Sequence, residues 1–144
     1  MPNDPAPRAK DLSLDDIEIG QEAQFERLIA SNDIRRFAEL TGDHNPLHVD
    51  EAFGQAGPFG RNVAHGLLVG SLMSTIVGMH CPGRRSLYLS QSFNFRQPVF
   101  AGDTVHVKAT VTAKSQSARM ITLKTEIRVL DKLVIDGECR VKVL

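Results

Sequence analysis

The sequence predicts an α+β fold in which an antiparallel sheet wraps around one buried helix. The helix is indicated by residues 65–79, which contain no Asp, Glu, Lys or Arg and so leave a helix without a charged face. The sheet is indicated by an alternation of apolar and polar residues from residue 86 to the end of the chain, a pattern typical of half-buried strands. A chain of 144 residues is about the size of one domain.

The predicted helix spans residues 66–79 and is expected to be buried almost all round, because apolar side chains surround its axis. Its small residues recur every four positions and therefore share one line of the helix surface, where a sheet can pack closely. They are Gly66, Gly70, Ser74 and Gly78. A stretch of about 15 residues is too short to cross a membrane, which takes roughly 20.

Composition excludes several classes of partner. Seventeen basic and 17 acidic residues leave no formal net charge, so no basic surface is expected to bind nucleic acid or an anionic membrane. The two cysteines, Cys81 and Cys139, have neither a disulfide-framework spacing nor a zinc-ligand spacing. Two cysteines without such a spacing are typical of a protein in the reducing cytoplasm.

The start of the chain is Pro-rich and polar, and it lacks the apolar core of a signal peptide. We therefore expect residues 1–14 to form a flexible N-terminal tail. Residues 15–144 are predicted to form the single domain.

A strand and a capped helix are predicted to follow the tail. The strand is expected at residues 25–29 and the helix at residues 34–41. The polar residues 31–33 supply capping oxygens at the start of this helix, and Gly42 is typical of a helix end.

Residues 43–50 are expected to be loop or turn. Pro46 removes a backbone donor and biases Asn45 away from helical angles. Asp50 is then expected to cap a short helical piece, and residues 54–62 to form a flexible connection to the buried helix.

Four strands are predicted after the buried helix, and their order in the chain suggests an antiparallel meander with one polar face. They lie at about residues 86–96, 104–111, 121–129 and 133–143. In the first of them the alternation places Leu87, Leu89, Phe93 and Phe95 on the covered face. The stretch 66–79 is the only one long and apolar enough to cover that face.

The candidates for chemistry begin with Asp43 and His48. They lie five residues apart in a chain bent at Asn45 and Pro46, so their side chains can converge on one side of a turn. A carboxylate beside an imidazole can carry out general acid–base catalysis on a bound water. The alternative is a turn-forming Asp with a surface His, and spacing alone leaves both open.

Gly66 opens the buried helix, so its N–H has no intrahelical partner and lies at the positive end of the helix dipole. This amide is a candidate for stabilising an oxyanion, and the missing side chain lets a carbonyl approach. The alternative is a glycine that only starts a crowded helix. Ser74, two turns further on, either positions a water or a loop, or bonds to a carbonyl of its own helix.

Other chemistries lack their patterns. His44 and His48 have the spacing of two metal ligands on a helix, but Pro46 lies between them, so no metal site is predicted. Neither Ser71 nor Ser74 lies in a Gly-x-Ser-x-Gly turn, so a covalent nucleophile is not indicated. Without a Gly-rich phosphate loop, no cofactor is predicted.

Two motifs closely resemble the MaoC-like (R)-specific enoyl-CoA hydratases, including those that feed polyhydroxyalkanoate synthesis. One is TGDHNPLHVD at residues 41–50, and the other is AHGLL at residues 64–68. The strand SLYLSQSF at residues 86–93 and the turn PVFAGD at residues 98–103 are similar to the same family's downstream pattern. The resemblance runs from about Ile19 to the C-terminal residue. Asp-x-Asn-Pro-x-His joined to Ala-His-Gly is far more specific than either half.

The resemblance implies a hot-dog fold and a homodimer whose sheets join edge to edge, with an acyl-CoA substrate bound at the subunit interface. Asp43 and His48 match the family's catalytic pair, Gly66 its oxyanion donor and Ser74 a supporting hydroxyl, whereas His44 falls on a variable position. The residues expected to contact substrate are Asn45, Phe53, Phe59, His65 and Ser74. Phe53 is as readily an ordinary core residue.

The implied reaction is reversible addition of water to a trans-2-enoyl-CoA, giving the (R)-3-hydroxyacyl-CoA. A thioesterase of the same fold is an alternative, but residues 66–79 carry no carboxylate, which disfavours it. A dehydratase acting on acyl carrier protein and a non-catalytic acyl-CoA-binding domain stay open. Arg61 and Arg96 are interpreted as solvated surface residues rather than contacts to CoA phosphates.

Overall fold

The structure is a computed structural model that describes residues 6–144, and it forms a six-stranded antiparallel sheet with a helical segment against its inner face. The strands are β1 Glu22–Leu28, β2 Ser86–Gln91, β3 Asn94–Phe95, β4 Thr104–Ser115, β5 Met120–Val129 and β6 Lys132–Val143. The helices are α1 Ser31–Thr41, α2 Pro46–Val49, α3 Glu51–Ala56, α4 Gly66–Gly70 and α5 Met73–Thr75. A 3₁₀ turn at Leu14–Asp16 precedes β1, and a π-helical turn at Ile76–His80 follows α5.

The long strands β4, β5 and β6 form the inner wall of the core. From Val105 to Val111 of β4 every second residue is buried, Val107 among them. Val107 pairs with Ile127 of β5, and both side chains are fully buried. The predicted alternation of these strands is confirmed, because a period of two places one set of side chains on the covered face.

The order of the strands is β1-β4-β5-β6-β2, and β3 also pairs with β6. The predicted meander is therefore right for β4, β5 and β6 but wrong for the first predicted strand, which pairs with β6 and forms an edge. Its predicted facing is right for Phe93, which packs against the core. It is wrong for Leu87 and Leu89, which are 48% and 50% exposed while Tyr88 packs against the core. Large residues lie on both faces of this strand, so alternation alone did not determine which face is covered.

We call residues 66–80 the central helix, since α4, α5 and the π-helical turn follow one another with right-handed helical backbone between them. The extent predicted for the buried helix is confirmed, although its hydrogen bonding changes type along its length. The prediction that it is buried almost all round is wrong: Leu67 is 61% exposed, and Ser71 and Ser74 are exposed as well. An apolar composition does not reveal whether the same chain covers every face.

Close packing is observed along the first half of the small-residue line. A Cβ on Gly66 would lie 2.7 Å from the Phe95 ring, and a Cβ on Gly70 would lie 2.9 Å from the Phe93 ring. Real side chains do not approach so closely, so both positions need glycine for the rings to pack. Around Gly78, by contrast, the space for a Cβ is open.

The beginning of the chain contacts the end of the central helix. Residues 1–5 of the predicted tail lie outside the described residues. Lys10 donates its backbone N–H to Met79 O at 2.9 Å and accepts from Arg84 N at 2.8 Å, and Leu14 is buried in the core. The domain boundary at residue 14 stays a prediction. None of the helices in residues 6–144 is long and apolar enough to cross a membrane.

Candidate active site

The end of α1 fixes the backbone that carries Asp43. The helix begins earlier than predicted, because Asp33 Oδ2 accepts from Ala30 N at 2.9 Å and closes the first turn. It ends as predicted at Gly42, whose φ of 80° is easily adopted only without a side chain. Immediately afterwards, Asp43 N donates to Thr41 Oγ1 and Asp43 Oδ1 accepts from Asn45 N, both at 3.2 Å. The Asp43 carboxylate is thus held within a hydrogen-bonded turn.

His48 lies on α2, a single helical turn, so the prediction of loop or turn throughout residues 43–50 is wrong in its second half. Pro46 occupies the first helical position, where a missing N–H costs nothing. Asn45 Oδ1 caps this turn by accepting from Leu47 N at 3.0 Å. The cap predicted at Asp50 is confirmed, since its Oδ1 accepts from Phe53 N at 3.0 Å at the start of α3.

The side chains of Asp43 and His48 converge. Asp43, His48 and His65 each place a carboxylate oxygen or a ring nitrogen within 4.8 Å of those of the other two. His48 Nδ1 lies 2.7 Å from Val63 O, and a carbonyl only accepts, so Nδ1 carries the hydrogen. The other nitrogen of His48, Nε2, is then left for chemistry.

His65 lies beneath this pair and is only 2% exposed. Its Nε2 lies 3.0 Å from the backbone oxygen of Asp43, and its ring stacks on His48 with 3.9 Å between centroids. The ring of Phe37 packs against it at 4.8 Å. His65 Nδ1 is buried and has no hydrogen-bond partner among residues 6–144, a state that typically costs about 1–3 kcal/mol.

A cavity of about 660 Å³ lies beside these groups. Its walls are largely apolar, with contributions from α1, α2, β3 and the start of the central helix. The lining residues include Phe37, Asp43, His48, Phe59, Gly66 and Phe95. The first intrahelical bonds of α4 are donated by Leu68 N and Val69 N to His65 O, so the Gly66 amide precedes them at the edge of the cavity.

Residues 15–132 match the protein family described as MaoC like domain. The chain belongs to this family. It is similar to the 3-hydroxybutyryl-CoA dehydratase of Methylorubrum extorquens, with 41% identity over 137 residues, which are 95% of this chain and 87% of that protein. It is also similar to the (R)-specific enoyl-CoA hydratase of Aeromonas caviae, with 39% identity over 91% of this chain and 98% of that protein.

A solved structure, the (R)-hydratase from A. caviae involved in PHA biosynthesis, matches this MaoC-like chain with a TM-score of 0.86. The match has 39% identity and covers 89% of this chain and 98% of the other. The family inferred from the two motifs and the hot-dog fold are both confirmed.

The MaoC-like chain brings five of the eight predicted site residues to one cavity: Asp43, His48, Phe59, His65 and Gly66. The other three lie elsewhere in the single chain. Asn45 uses its side-chain oxygen to cap α2, Phe53 is 51% exposed on α3, and Ser74 is exposed on the central helix. Every assignment of these eight residues to catalysis or substrate contact stays a prediction.

Two aromatic residues that line the cavity, Phe37 and Phe95, are not among the predicted site residues. Phe37 lies on α1, and its ring packs on His65. Phe95 was expected on the face of the sheet that residues 66–79 cover, and its ring lies against Gly66 of that stretch. A helical or alternating pattern can indicate that a residue is buried, but it does not indicate which neighbour the residue contacts.

Arg96 also lines the cavity, and its charge is already paired. Its Nε and its terminal nitrogen both donate to Asp136 Oδ1 at 3.3 Å, and Asn94 donates to the same oxygen at 3.0 Å. The Asn94 hydrogen bond and the Arg96 guanidinium hold the pKa of Asp136 below its usual value. Arg61 lies over the Phe100 ring at 3.7 Å.

The donor set at Asp43, His48 and His65 is geometrically poor for a metal ion. The two imidazoles are stacked 3.9 Å apart with their planes only 29° from parallel, so the lone pairs of their nitrogens lie in two nearly parallel planes. A tetrahedral zinc site instead needs lone pairs that converge on one point about 2 Å away. The absence of a metal site stays a prediction.

Proposed function

We propose that this MaoC-like chain is an (R)-specific enoyl-CoA hydratase. It reversibly adds water across the 2,3-double bond of a trans-2-enoyl-CoA and gives the (R)-3-hydroxyacyl-CoA. The observation that carries the proposal is the convergence of Asp43 and His48 at the edge of a largely apolar cavity. The names of both relatives described above agree with this chemistry, one in the hydration and one in the dehydration direction.

Asp43 and His48 hold the reacting water. An ionised carboxylate accepts hydrogen bonds only, and His48 with its hydrogen on Nδ1 offers Nε2 as an acceptor. A water that donates to both groups turns a lone pair towards C3 of the substrate. As its oxygen attacks C3, the pair takes one proton from the water and returns one to C2 on the same face.

The Gly66 amide stabilises the charge that develops on the thioester oxygen. As the C3–O bond forms, electron density moves through C2 to that oxygen and an enolate develops. An N–H at a helix start, without an intrahelical partner, is suited to donate to it. Because Gly66 has no Cβ, the thioester can approach the backbone.

A second copy of the chain completes the site. The Asp43 side chain is 51% exposed, whereas charge stabilisation is strongest where water is excluded. Strand β2 ends the sheet, and apolar side chains lie exposed along it, on β3 and on the nearby central helix. They are Leu67, Leu87, Leu89 and Phe95, each about half exposed or more. We infer a homodimer that joins through this edge and covers this surface.

The dimer is tested by measuring the mass in solution for the parent protein and for Leu89→Asp. The parent is expected at twice the chain mass, and Leu89→Asp is expected to shift towards the monomer and lose activity. Leu130→Asp is the matched control, because Leu130 is 91% exposed in the turn between β5 and β6. A parent that is monomeric and fully active would contradict the inference.

We place the enzyme in the cytoplasm, and its carrier is proposed to be coenzyme A. Both cysteines are free and buried, as expected for a protein of a reducing compartment. Rates with the same enoyl chain on CoA and on acyl carrier protein test the carrier, and a clear preference for acyl carrier protein would assign the chain to dehydratases of that type.

The function itself is tested with crotonyl-CoA. The expected result is loss of the enoyl absorbance and formation of (R)-3-hydroxybutyryl-CoA, with no free thiol released from butyryl-CoA. An (S) product would contradict the proposed stereochemistry. Thiol release would indicate a thioesterase, and an unchanged absorbance over hours would indicate a binding domain.

A further inference from the structure

We infer that His65 is a positioning residue for the proposed hydratase reaction, acting through Asp43 and His48 rather than by touching substrate. It rests on the proposed function, because it concerns the same acid–base pair. His65 is 2% exposed, so almost none of its surface is accessible to a ligand in the cavity. Its contacts are directed at the two residues that hold the water.

The first contact fixes the backbone that carries the carboxylate. His65 Nε2 lies 3.0 Å from Asp43 O across 22 residues of chain. The carbonyl is an acceptor, so Nε2 carries the hydrogen and donates it. A shift of this bond moves the Cα of Asp43, and with it the carboxylate.

The second contact fixes the imidazole. The rings of His48 and His65 stack with 3.9 Å between their centroids, and Phe37 packs against His65 at 4.8 Å. His48 is thus held by its Nδ1 hydrogen bond to Val63 O and by a flat ring below it. Together these contacts limit rotation of the imidazole and fix where Nε2 points.

The unpaired nitrogen of His65 argues against a purely structural role. Within residues 6–144, its buried Nδ1 finds no partner. An apolar ring of similar shape would fill the same space without burying an unpaired acceptor. A histidine is therefore useful here for its Nε2–H, which donates a hydrogen bond to the backbone oxygen of Asp43.

Two variants separate the donor from the ring. His65→Phe keeps a flat ring and removes the donor. His65→Gln keeps an N–H donor at a similar reach and removes the ring. His44→Gln is the matched control, because His44 is exposed and directly follows Asp43.

The measurements are kcat with crotonyl-CoA, the Kd for unreactive butyryl-CoA and the melting temperature. We expect His65→Phe to lower kcat on the order of 10- to 100-fold, as a small misplacement of catalytic groups does. The Kd is expected to stay within about twofold, because the residue does not touch substrate, and the melting temperature to change little. His65→Gln is expected to recover most of the lost rate, and His44→Gln to match the parent.

A double-mutant cycle tests whether His65 acts through the carboxylate. In an Asp43→Asn background the carboxylate is already gone, so adding His65→Phe is expected to slow the reaction by less than about threefold. Multiplication of the two losses would overturn the inference, as would a Kd that weakens together with kcat. Should His65→Phe fail to fold, His65→Gln decides: a folded His65→Gln that binds butyryl-CoA and is as slow as Asp43→Asn contradicts a role for the donor.

The same experiments separate this inference from the proposed function. If Asp43→Asn hydrates crotonyl-CoA at the parent rate, the proposed function itself is contradicted. If Asp43→Asn has a much reduced kcat and His65→Phe keeps the parent kcat, only the inference about His65 is contradicted.

Discussion

The sheet β4–β6 and the segment of residues 41–66 are built in opposite ways. In the sheet, side chains alternate between core and solvent, and Val107, Leu123 and Val141 are fully buried against apolar neighbours. In the segment, most residues are exposed, and polar contacts such as Asp43 N to Thr41 Oγ1 hold the backbone. The sheet stabilises the fold by burying apolar side chains, whereas the segment positions the side chains of the candidate site.

This difference predicts that stability and chemistry respond to different substitutions. A change in the buried face of the sheet is expected to alter the free energy of unfolding and leave the rate of the folded enzyme intact. A change at the converging polar groups of the segment is expected to do the reverse.

The largest effect is expected from His48→Asn. The amide of Asn can still donate to Val63 O, as His48 Nδ1 does at 2.7 Å, but it offers nothing in place of Nε2. We expect kcat with crotonyl-CoA to fall about 10²- to 10⁴-fold, with an unchanged melting temperature. His44→Asn is the control and should keep the parent rate. Equal rates for both variants would remove His48 from the reaction.

The opposite result is expected from Leu123→Ala in β5. Leu123 is 0% exposed, so the cavity left by its side chain should lower the free energy of unfolding by about 2–5 kcal/mol. Denaturant titration measures this loss, and Leu130→Ala, at a residue that is 91% exposed, should change it by less than about 0.5 kcal/mol. At a temperature where Leu123→Ala is folded, a loss of kcat beyond a few-fold would contradict the separation.

A pair of glycines on the central helix sharpens the comparison. Added Cβ atoms at Gly66 and Gly70 both collide with a Phe ring, at 2.7 and 2.9 Å, so each alanine variant should lose about 1–3 kcal/mol of stability. Only Gly66 lines the cavity. We therefore expect Gly66→Ala to lower kcat/KM about 10- to 100-fold and Gly70→Ala to change it little. Similar kinetics for both variants would show that Gly66 is only a packing residue.

The smallest effect is expected at the two thiols. Burial raises the pKa of Cys139 to about 12 and also raises the pKa of Cys81. Both thiols should therefore resist iodoacetamide in the folded protein and react in denaturant.

The same pKa shift gives stability a pH dependence. In the unfolded chain these thiols ionise near the ordinary pKa of about 8.5, whereas the folded protein keeps them protonated. The free energy of unfolding should therefore fall as pH rises above that value, less so in a Cys81→Ala/Cys139→Ala variant. Rapid alkylation of either thiol without denaturant would show that the core opens.

Much of the fold could be predicted because apolar periodicity is a local property. The alternation in β4 gave its buried face, and a charge-free stretch located the central helix. The facing of β2 could not be predicted, since Leu87, Tyr88 and Leu89 place large residues on both sides. The exposed Leu67 was missed for a related reason: composition does not distinguish surface covered by the same chain from surface left open.

The site was predictable to the extent that a short motif determines it. Asp43 and His48 are close in sequence, so a bend at Pro46 suffices to bring them together. His65 is 22 residues from Asp43, and its hydrogen bond to the Asp43 carbonyl depends on how the central helix packs. No local spacing encodes that contact, so His65 could be recognised beforehand only as part of a motif.

The most direct test of the account compares Asp43→Asn with Asp50→Asn in the hydration of crotonyl-CoA. Both substitutions neutralise one carboxylate of the same segment, but Asp50 only caps α3, a role that Asn also fills. The account predicts a loss of about 10²- to 10⁴-fold for Asp43→Asn and near-parent activity for Asp50→Asn. Hydration by Asp43→Asn at the parent rate would contradict it.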